Sequence, residues 1–263
     1  MKYNLLLLIA LILVVLPAKG HVIDEEGAPS SSTNQRLSAN HSLRAPLYWS
    51  VYEHCWLKEK AGEQHIDITQ AQWDSIINWV ATNLKPYGYE MICTDGFIPM
   101  LAENGSPYMT RYGSITLKEL IKKCKAKGLK VGVYDNPLWI HGDDSVHVRG
   151  TKDVTIGDLR YRSSDKVLHK DTTDRWFSWV VATRPGAKAY IDGFFKHYHD
   201  LGVDFIRMDF LSWYEDGFDR NMGRVGRGYG RDSYQLALQY ICEAARKYGV
   251  FTSLVMPHLY EKA

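Results

Sequence analysis

The sequence predicts an α/β protein in which parallel strands alternate with helices. Five short apolar runs are separated by amphipathic stretches whose apolar residues recur at helical spacing, and glycine or proline residues punctuate the boundaries. Strands that alternate with helices in this way are typical of a parallel sheet with helical crossovers. Two architectures satisfy the pattern, an open doubly wound sheet and a (β/α)8 barrel.

The first three strands and the two helices between them are each indicated by a local pattern. Strands are predicted at residues 47–51, 89–94 and 129–134, where apolar and aromatic residues cluster. The first helix begins at Thr69 and stops at Pro86-Tyr87-Gly88. The apolar stripes of the helices are Trp73, Ile76, Ile77, Val80 and Leu84 in the first, and Leu117, Leu120, Ile121 and Cys124 in the second, which Gly128 closes.

The second half of the pattern opens with a long polar stretch, from residue 135 to about residue 184. Its periodicity is too weak for a regular crossover, and loops of this length in compact domains are usually functional or disordered. The predicted elements that follow are a helix at 189–201, a strand at 203–208, a Gly/Arg-rich loop at 221–231, a helix at 233–248 and a strand at 250–256.

The barrel is the better prediction of the two architectures. No Gly-rich phosphate turn follows the first strand, which weighs against a dinucleotide-binding sheet. Three strands are followed by Asp95, Asp135 and Asp209, and polar residues at strand ends gather at the mouth of a barrel. A barrel needs eight strands and about 250 residues. Because five strands would leave two open edges, we expect a (β/α)8 TIM barrel truncated after the fifth strand.

The N-terminal 44 residues are predicted to lie outside the barrel domain. Residues 1–20 combine a basic start, an apolar run and small residues, as a secretory signal peptide does, although an uncleaved anchor remains an alternative. Residues 21–44 are polar and too poor in apolar side chains to fold, so they are predicted to form a flexible tether. Residues 45–263 form the domain. We therefore expect a secreted or periplasmic protein with no membrane contact after cleavage.

Composition excludes some classes of partner. The net charge of +2 is too small to indicate a nucleic-acid partner. The four cysteines show neither a disulfide framework nor the Cys/His spacing of a zinc site, so they are expected to be free and mostly buried. No metal and no cofactor are expected. Aromatic residues make up 13% of the chain, and Trp and Tyr faces suit stacking on sugar rings, although most of them will fill the core.

The segment from Gly202 to Asp209 carries the most informative chemistry. Side chains alternate along a strand, so Arg207 and Asp209 share one face. A neighbouring cation keeps a carboxylate ionised. An ionised Asp at a barrel mouth is what a retaining glycosidase requires of its nucleophile, while a structural ion pair at a sheet end remains the alternative.

This segment resembles the fourth-strand motif of glycoside hydrolase family 27, the α-galactosidases and α-N-acetylgalactosaminidases, and of their clan D relatives in family 36. Residues 87–95 are similar to the second strand of the family, and residues 128–135 to its third. Tyr48-Trp49 with Tyr52-Glu53 resembles its first strand. These motifs occur in the family's order, and the resemblance runs from residue 47 to about residue 256.

The resemblance implies a role for each matching residue. Asp209 would be the catalytic nucleophile, and Asp95 would accept hydrogen bonds from sugar hydroxyls. Further sugar contacts would come from Tyr134, Arg207 and either Trp49 or Tyr52. The alternatives are that Asp95 caps a strand end and that Tyr134 belongs to the core. The substrate would be an oligosaccharide or other glycoside.

Two departures from the family pattern loosen the sugar assignment. The second Asp of the family's pair is Gly96 here, and the family's Lys is Arg207, whose planar fork does not replace a point charge neutrally. A β-L-arabinopyranoside therefore fits about as well as an α-galactoside. The family's general acid follows the sixth strand. The fifth strand is the last one predicted here, so Glu215 and Asp216, in the loop after Asp209, are the acids that could take its place. They are expected to be solvated loop charges, and little or no turnover is therefore expected from this chain alone.

Three functions follow from the sequence. The first is an exported retaining exo-glycosidase acting on α-galactoside-like bonds through Asp209. The second is a non-catalytic carbohydrate-binding protein of the same fold, and the third is a dehydrogenase-like or phosphate-binding α/β protein that only mimics the spacing. Two weaker patterns are interpreted as surface features: the Arg/Gly run at 220–231 as a mouth loop, and the histidines of the long loop as neither metal nor substrate ligands. Those histidines are His141, His147 and His169.

Overall fold

The computed structural model describes residues 45–63, 66–160, 179–216 and 229–258. The predicted signal peptide and tether, His169 and most of the Gly/Arg-rich loop lie outside these ranges, so those predictions stay predictions. Among the helices that are described, none has the length and apolar character that crossing a membrane requires.

The core of the structure is a parallel sheet of five strands curled into a half-barrel. The strands in chain order are β1 Leu47–Ser50, β2 Tyr89–Cys93, β3 Met100–Leu101, β4 Arg111–Tyr112, β5 Ile115–Thr116, β6 Lys130–Tyr134, β7 Phe205–Met208 and β8 Phe251–Leu254. The parallel sheet has the order β1-β2-β6-β7-β8, in which each strand is hydrogen-bonded to the strand before it in the series. The predicted part-barrel is thereby confirmed.

Seven α-helices are described along the chain, and helices of this set pack against the outer face of the sheet. They are α1 Tyr52–Lys60, α2 Gln70–Trp79, α3 Leu117–Ala126, α4 Ile156–Leu159, α5 Ala187–Leu201, α6 Leu211–Asp216 and α7 Arg231–Tyr248. The Thr69 hydroxyl accepts from the amide of Gln72 and begins α2 with a capping box. Gly202 and Gly249 end α5 and α7 in the left-handed conformation, which glycine adopts at little cost.

Several elements differ from the sequence prediction. The helix predicted to run to Leu84 changes at Val80 into a π-helical turn and then into a short 3-10 turn at Lys85–Tyr87, where Pro86 cannot donate a helical hydrogen bond. Helix α1 was not predicted because only Cys55 of its residues is buried, so it shows no apolar stripe. Helix α6 and the small antiparallel sheet β3-β4-β5 are too short to produce a periodic pattern.

The long polar stretch after β6 is more ordered than predicted where it is described. It contains α4 and isolated antiparallel bridges, which join Trp139 to Trp179, His147 to Thr155 and Arg160 to Val180. Trp139 and Trp179 are both buried. This segment therefore packs as part of the domain although, where it is described, it forms no regular crossover, in line with the prediction.

The alternation of side chains divides the sheet into two packed faces. The inner, concave face carries Tyr48, Met91, Cys93 and Phe205, which form a small cluster of their own. Gly132 of β6 makes room for it, since a Cβ there would stand 2.7 Å from the Phe205 ring. The outer face joins the helices in the main core.

The four cysteines are all free, as predicted. Cys55, Cys93 and Cys124 are buried, while Cys242 is exposed on α7. Burial raises the pKa of the Cys55 thiol to about 11, so this thiol is unreactive at neutral pH.

Candidate active site

Arg207 joins two buried carboxylates at the carboxyl ends of β2 and β7. One guanidinium nitrogen donates to Oδ2 of Asp95 at 3.0 Å, and the other lies 3.6 Å from Oδ2 of Asp209. Asp95 is 4% exposed and Asp209 8%. The alternation of β7 correctly predicted that Arg207 and Asp209 share a face. No local pattern indicated that the closer partner of Arg207 is Asp95, which follows another strand.

Tyr134, at the end of β6, contacts both Arg207 and Asp209. Its ring lies 5.2 Å from the Arg207 guanidinium carbon, in cation–π geometry, and its hydroxyl donates to Oδ2 of Asp209 at 3.4 Å. Burial raises the pKa of the Tyr134 hydroxyl, which therefore remains a proton donor at neutral pH. Tyr134 belongs to the buried core, where its ring lies 5.7 Å from that of Trp139, and it contacts the carboxylate cluster as well.

Gly96 is what allows Tyr134 to stand there. A Cβ at position 96 would lie 2.9 Å from Cε1 of the Tyr134 ring, closer than side-chain atoms pack. The backbone of Gly96 is not in the left-handed region, so any residue could adopt its backbone conformation. Glycine is required here because it has no side chain. Tyr134 therefore excludes a side chain at the position where the family pattern has its second Asp.

Asp95 is fixed through its own backbone as well as by Arg207. Its Oδ1 accepts from the Gly96 amide at 2.7 Å, and the Tyr112 hydroxyl bonds both its amide and its carbonyl. Burial raises the pKa of Asp95, although the Gly96 amide and Arg207 act in the opposite direction. Asp95 thus caps a strand end, as one alternative proposed, and also belongs to the carboxylate cluster.

The backbone at Asp209 is held in an unusual conformation. Phe210 has φ of +61°, a left-handed value that is rare for a bulky residue. Its amide donates to Oδ1 of Asp209 at 2.8 Å, and its ring stacks on Trp213 at 4.1 Å. The Asn136 side-chain amide donates to the Asp209 carbonyl at 2.9 Å. These contacts fix the Asp209 carboxylate, and strain of this kind clusters at functional sites.

The first strand brings different residues to the inner face from those predicted. Trp49 pairs with Ile92 and packs against the main core, so its side chain lies on the helix-covered side of the sheet. The prediction of a sugar contact from Trp49 is corrected for this reason. Tyr48 and Ser50, one residue to either side, lie on the inner face, and the Ser50 hydroxyl bonds Asp95.

Tyr52 keeps its place as a candidate sugar contact. It is the first residue of α1, 49% exposed, and its ring meets Phe97 edge-on at 5.2 Å. An exposed aromatic beside the mouth is free to contact a ligand, so this role stays a prediction.

Asp135 does not join the cluster, although it follows β6 as Asp209 follows β7. It is fully buried and accepts from the Tyr198 hydroxyl of α5 and the Asn136 amide. His141 lies 2.9 Å from its Oδ1. Because Tyr134 faces inward, the next residue must face the helices. Asp135 is therefore a structural acid that ties β6 to α5.

The His141–Asp135 pair makes stability depend on pH. Burial lowers the pKa of His141, but the Asp135 carboxylate raises it by more, so it lies above the usual 6.5. Such a group stabilises the fold fully below pH 6.5, and this contribution is lost as pH rises through the folded pKa. Wild type should therefore be more stable than His141→Gln at about pH 5.5, and this difference in the free energy of unfolding should be smaller at about pH 8.5. Urea unfolding at both pH values measures it, and a pH-independent difference would contradict the pairing.

Glu215 is not the solvated loop charge that was expected. It lies in α6 with a side chain only 9% exposed, and Arg231 of α7 stands 3.7 Å from its Oε1. This contact ties Glu215 to α7, and the absence of a catalytic role for it stays a prediction. The side chain of Asp216 lies outside the described residues. Within the described ranges, no group of three His, Cys, Asp or Glu side chains could hold a metal ion.

The chain is similar to known carbohydrate-cleaving enzymes. Over 239 residues the chain is 37% identical to an isomalto-dextranase of Arthrobacter globiformis, and the match covers 86% of this chain and 36% of that enzyme. The solved structure of the A. globiformis T6 isomalto-dextranase complexed with panose superimposes with a TM-score of 0.70 at 36% identity, over 82% of this chain and 36% of that one. The chain is therefore similar in sequence and in fold to isomalto-dextranase over most of its own length.

Two glycosidase structures at lower sequence identity share the fold, and the first of them is a family 27 enzyme. The β-L-arabinopyranosidase of Geobacillus stearothermophilus, in complex with arabinose, has a TM-score of 0.54 at 18% identity and covers 81% of this chain and 48% of that one. The α-galactosidase of Thermus thermophilus, in complex with stachyose, has a TM-score of 0.55 at 15% identity, over 83% and 41%. No family model matches the chain. The chain spans about a third of the length of its isomalto-dextranase relative.

The fold shared with a family 27 enzyme agrees with the resemblance drawn from the strand-end motifs. The relatives are glycoside hydrolases, but they differ in the sugar that their names give.

Proposed function

We propose that this chain carries the nucleophile half of a retaining glycosidase site, with Asp209 as the nucleophile. The observation that carries the proposal is the cluster at the carboxyl ends of β2 and β7, where Arg207 lies between Asp95 and Asp209. The Tyr134 hydroxyl and the Phe210 amide each donate to the Asp209 carboxylate. A carboxylate fixed by several donors is pre-organised for attack in a single direction.

The reaction follows from this arrangement. Asp209 forms a bond to the anomeric carbon as the bond to the leaving oxygen breaks, and water later hydrolyses the resulting ester. A second carboxyl about 5–5.5 Å away must protonate the leaving oxygen. Among the described acids near the mouth, Asp95 is bound to Arg207 and Glu215 to Arg231. The proposal therefore includes little or no turnover by this chain alone.

The substrate proposed is an α-glucoside of the kind that panose represents. The support is the 36–37% identity to isomalto-dextranase, which is about twice the identity to the arabinopyranosidase and galactosidase structures. Gly96 also supports a sugar other than galactose, because the Tyr134 ring occupies the space that the second Asp of the family pattern would need. An α-galactoside is the second candidate, favoured by the family resemblance of the β2, β6 and β7 motifs. Export of the protein, through residues 1–20, is part of the proposal.

The test is ligand binding by the purified chain. Isothermal titration with panose, methyl α-galactoside and methyl β-L-arabinopyranoside should show the tightest binding for panose. Arg207→Met should weaken it at least tenfold. Tighter binding of the galactoside would overturn the substrate assignment and leave the site in place. Binding of no sugar, together with binding of a nucleotide, would overturn the function as a whole.

A further inference from the structure

A cleft lies between the residues before α2 and the segment that contains the small antiparallel sheet. It encloses about 400 Å³ and is lined by Ile66, Asp67, Phe97, Pro99, Leu101, Gly113 and Ser114. This volume is within the usual range of small-molecule sites, about 300–1,000 Å³. None of these residues has a part in the carboxylate cluster.

Phe97 lines the cleft and also contacts a residue at the mouth. Phe97 stands two residues beyond Asp95, and its ring meets that of Tyr52, the exposed candidate sugar contact, at 5.2 Å. Tyr52 and Leu101 are 49% and 43% exposed. A chain of sugars with one unit at Asp209 would thus find an apolar path over Tyr52 and Phe97 towards Leu101.

The cleft is built and held in shape by polar contacts in its wall. Oδ1 of Asp67 accepts from the amides of Ile68 at 2.7 Å and Ser114 at 3.2 Å, and the Ser114 hydroxyl donates to the Ile68 carbonyl at 2.8 Å. Gly113 has φ of +54°, and a Cβ there would stand 2.1 Å from the Asp67 carboxylate. These bonds join the segment before α2 to the β4–β5 turn.

We propose that this cleft is a secondary sugar-binding site that takes a glycosyl unit remote from the one at Asp209. An apolar wall with a carboxylate and a hydroxyl at its edge matches a pyranose, which has apolar ring faces and hydroxyls around its rim. The ligand is an oligosaccharide of α-linked glucose. This inference rests on the proposed function, since it extends the same substrate away from Asp209.

The test measures how affinity depends on the length of the sugar. Titration of the purified chain with methyl α-glucoside, isomaltose, panose and isomaltotetraose should show an affinity that rises at least tenfold along the series. Phe97→Ala and Leu101→Ala should each remove most of this rise. Tyr87→Ala is the matched control, because Tyr87 is 78% exposed and lies before β2, at the opposite end of the strand. It should leave the rise unchanged.

Two results would overturn the inference. One is an affinity in wild type that does not depend on length, and the other is a rise that survives in both cleft variants. Phe97 is partly buried, so the far more exposed Leu101 provides the second variant in case Phe97→Ala unfolds. Failure of the proposed function would look different: Asp209 would resist glycosylation by an activated sugar, whatever the length dependence.

Discussion

Replacing Arg207 by Met is expected to lower the free energy of unfolding by roughly 3 kcal/mol at neutral pH, within the range known for breaking a buried ion pair. The side chain of Arg207 is 24% exposed, while those of Asp95 and Asp209 are 6% and 12% exposed. Met fills a similar volume, so the loss comes from two buried carboxylates that no longer have a cation between them. Urea denaturation of both proteins measures the difference.

The pH dependence and a matched control separate charge from packing in this result. Without Arg207 the pKa of Asp95, already raised by burial, rises further, so the native state takes up a proton before the unfolded chain does. The deficit of Arg207→Met should therefore shrink as pH falls towards the usual aspartate value of 3.8. Lys123→Met is the control: Lys123 is 25% exposed, but its partner Asp74 is 53% exposed, so about 1 kcal/mol or less is expected. Equal losses in the two variants would argue against a buried charge cluster.

The substitution Gly96→Ala is expected to destabilise the protein by displacing the Tyr134 ring from the carboxylate cluster. The Cβ of Gly96→Ala would stand 2.9 Å from the Tyr134 ring, and overpacking of this kind costs about 1–3 kcal/mol. The ring must move, which weakens its contacts with Arg207 and Asp209. Thermal unfolding measures the cost, and titration with panose measures the loss of binding.

A double substitution tests whether the Tyr134 ring is the cause. In the Tyr134→Ala background the clash is gone, and Gly→Ala at a compatible backbone position stabilises by about 0.4–1 kcal/mol by restricting the unfolded chain. The sign of the Gly96→Ala effect should therefore reverse between the two backgrounds. If it destabilises equally in both, Gly96 is required for some other reason and its link to Tyr134 is wrong.

The sequence was sufficient for the parts of the site that depend on local alternation. Arg207 and Asp209 are two residues apart on one strand, so their shared face follows from the period of a strand. The same reasoning could have assigned Asp135 to the helix-covered side. Gly132 is the inner-face residue of β6, so Tyr134 faces inward and Asp135 outward.

The parts that were missed depend on contacts between strands. Trp49 looked like the aromatic of the mouth, but its register places it opposite Ile92 on the outer side, while Tyr48 and Ser50 face inward. The ion pair of Arg207 with Asp95 spans 112 positions in the chain, and the bond from Asn136 to Asp209 spans 73. No local pattern encodes such pairings. The absence of the second Asp at Gly96 was visible in the sequence, but its cause, the Tyr134 ring, needed the fold.

Covalent labelling of Asp209 tests the central claim most directly. The purified chain is incubated with 5-fluoro-α-D-glucosyl fluoride and, in a separate experiment, with 5-fluoro-α-D-galactosyl fluoride. Fluoride leaves without protonation, so the reaction needs the nucleophile and not a general acid. Attack by the Asp209 carboxylate forms an ester at the anomeric carbon and releases fluoride, and the fluorine at C5 slows hydrolysis of that ester.

Intact-mass and peptide mass spectrometry then locate the label. We predict one added glycosyl group, carried by the peptide that contains Asp209, and no label in Asp209→Asn under the same conditions. A label on another residue, an undiminished label in Asp209→Asn, or no label from either reagent would contradict the assignment of Asp209 as the nucleophile.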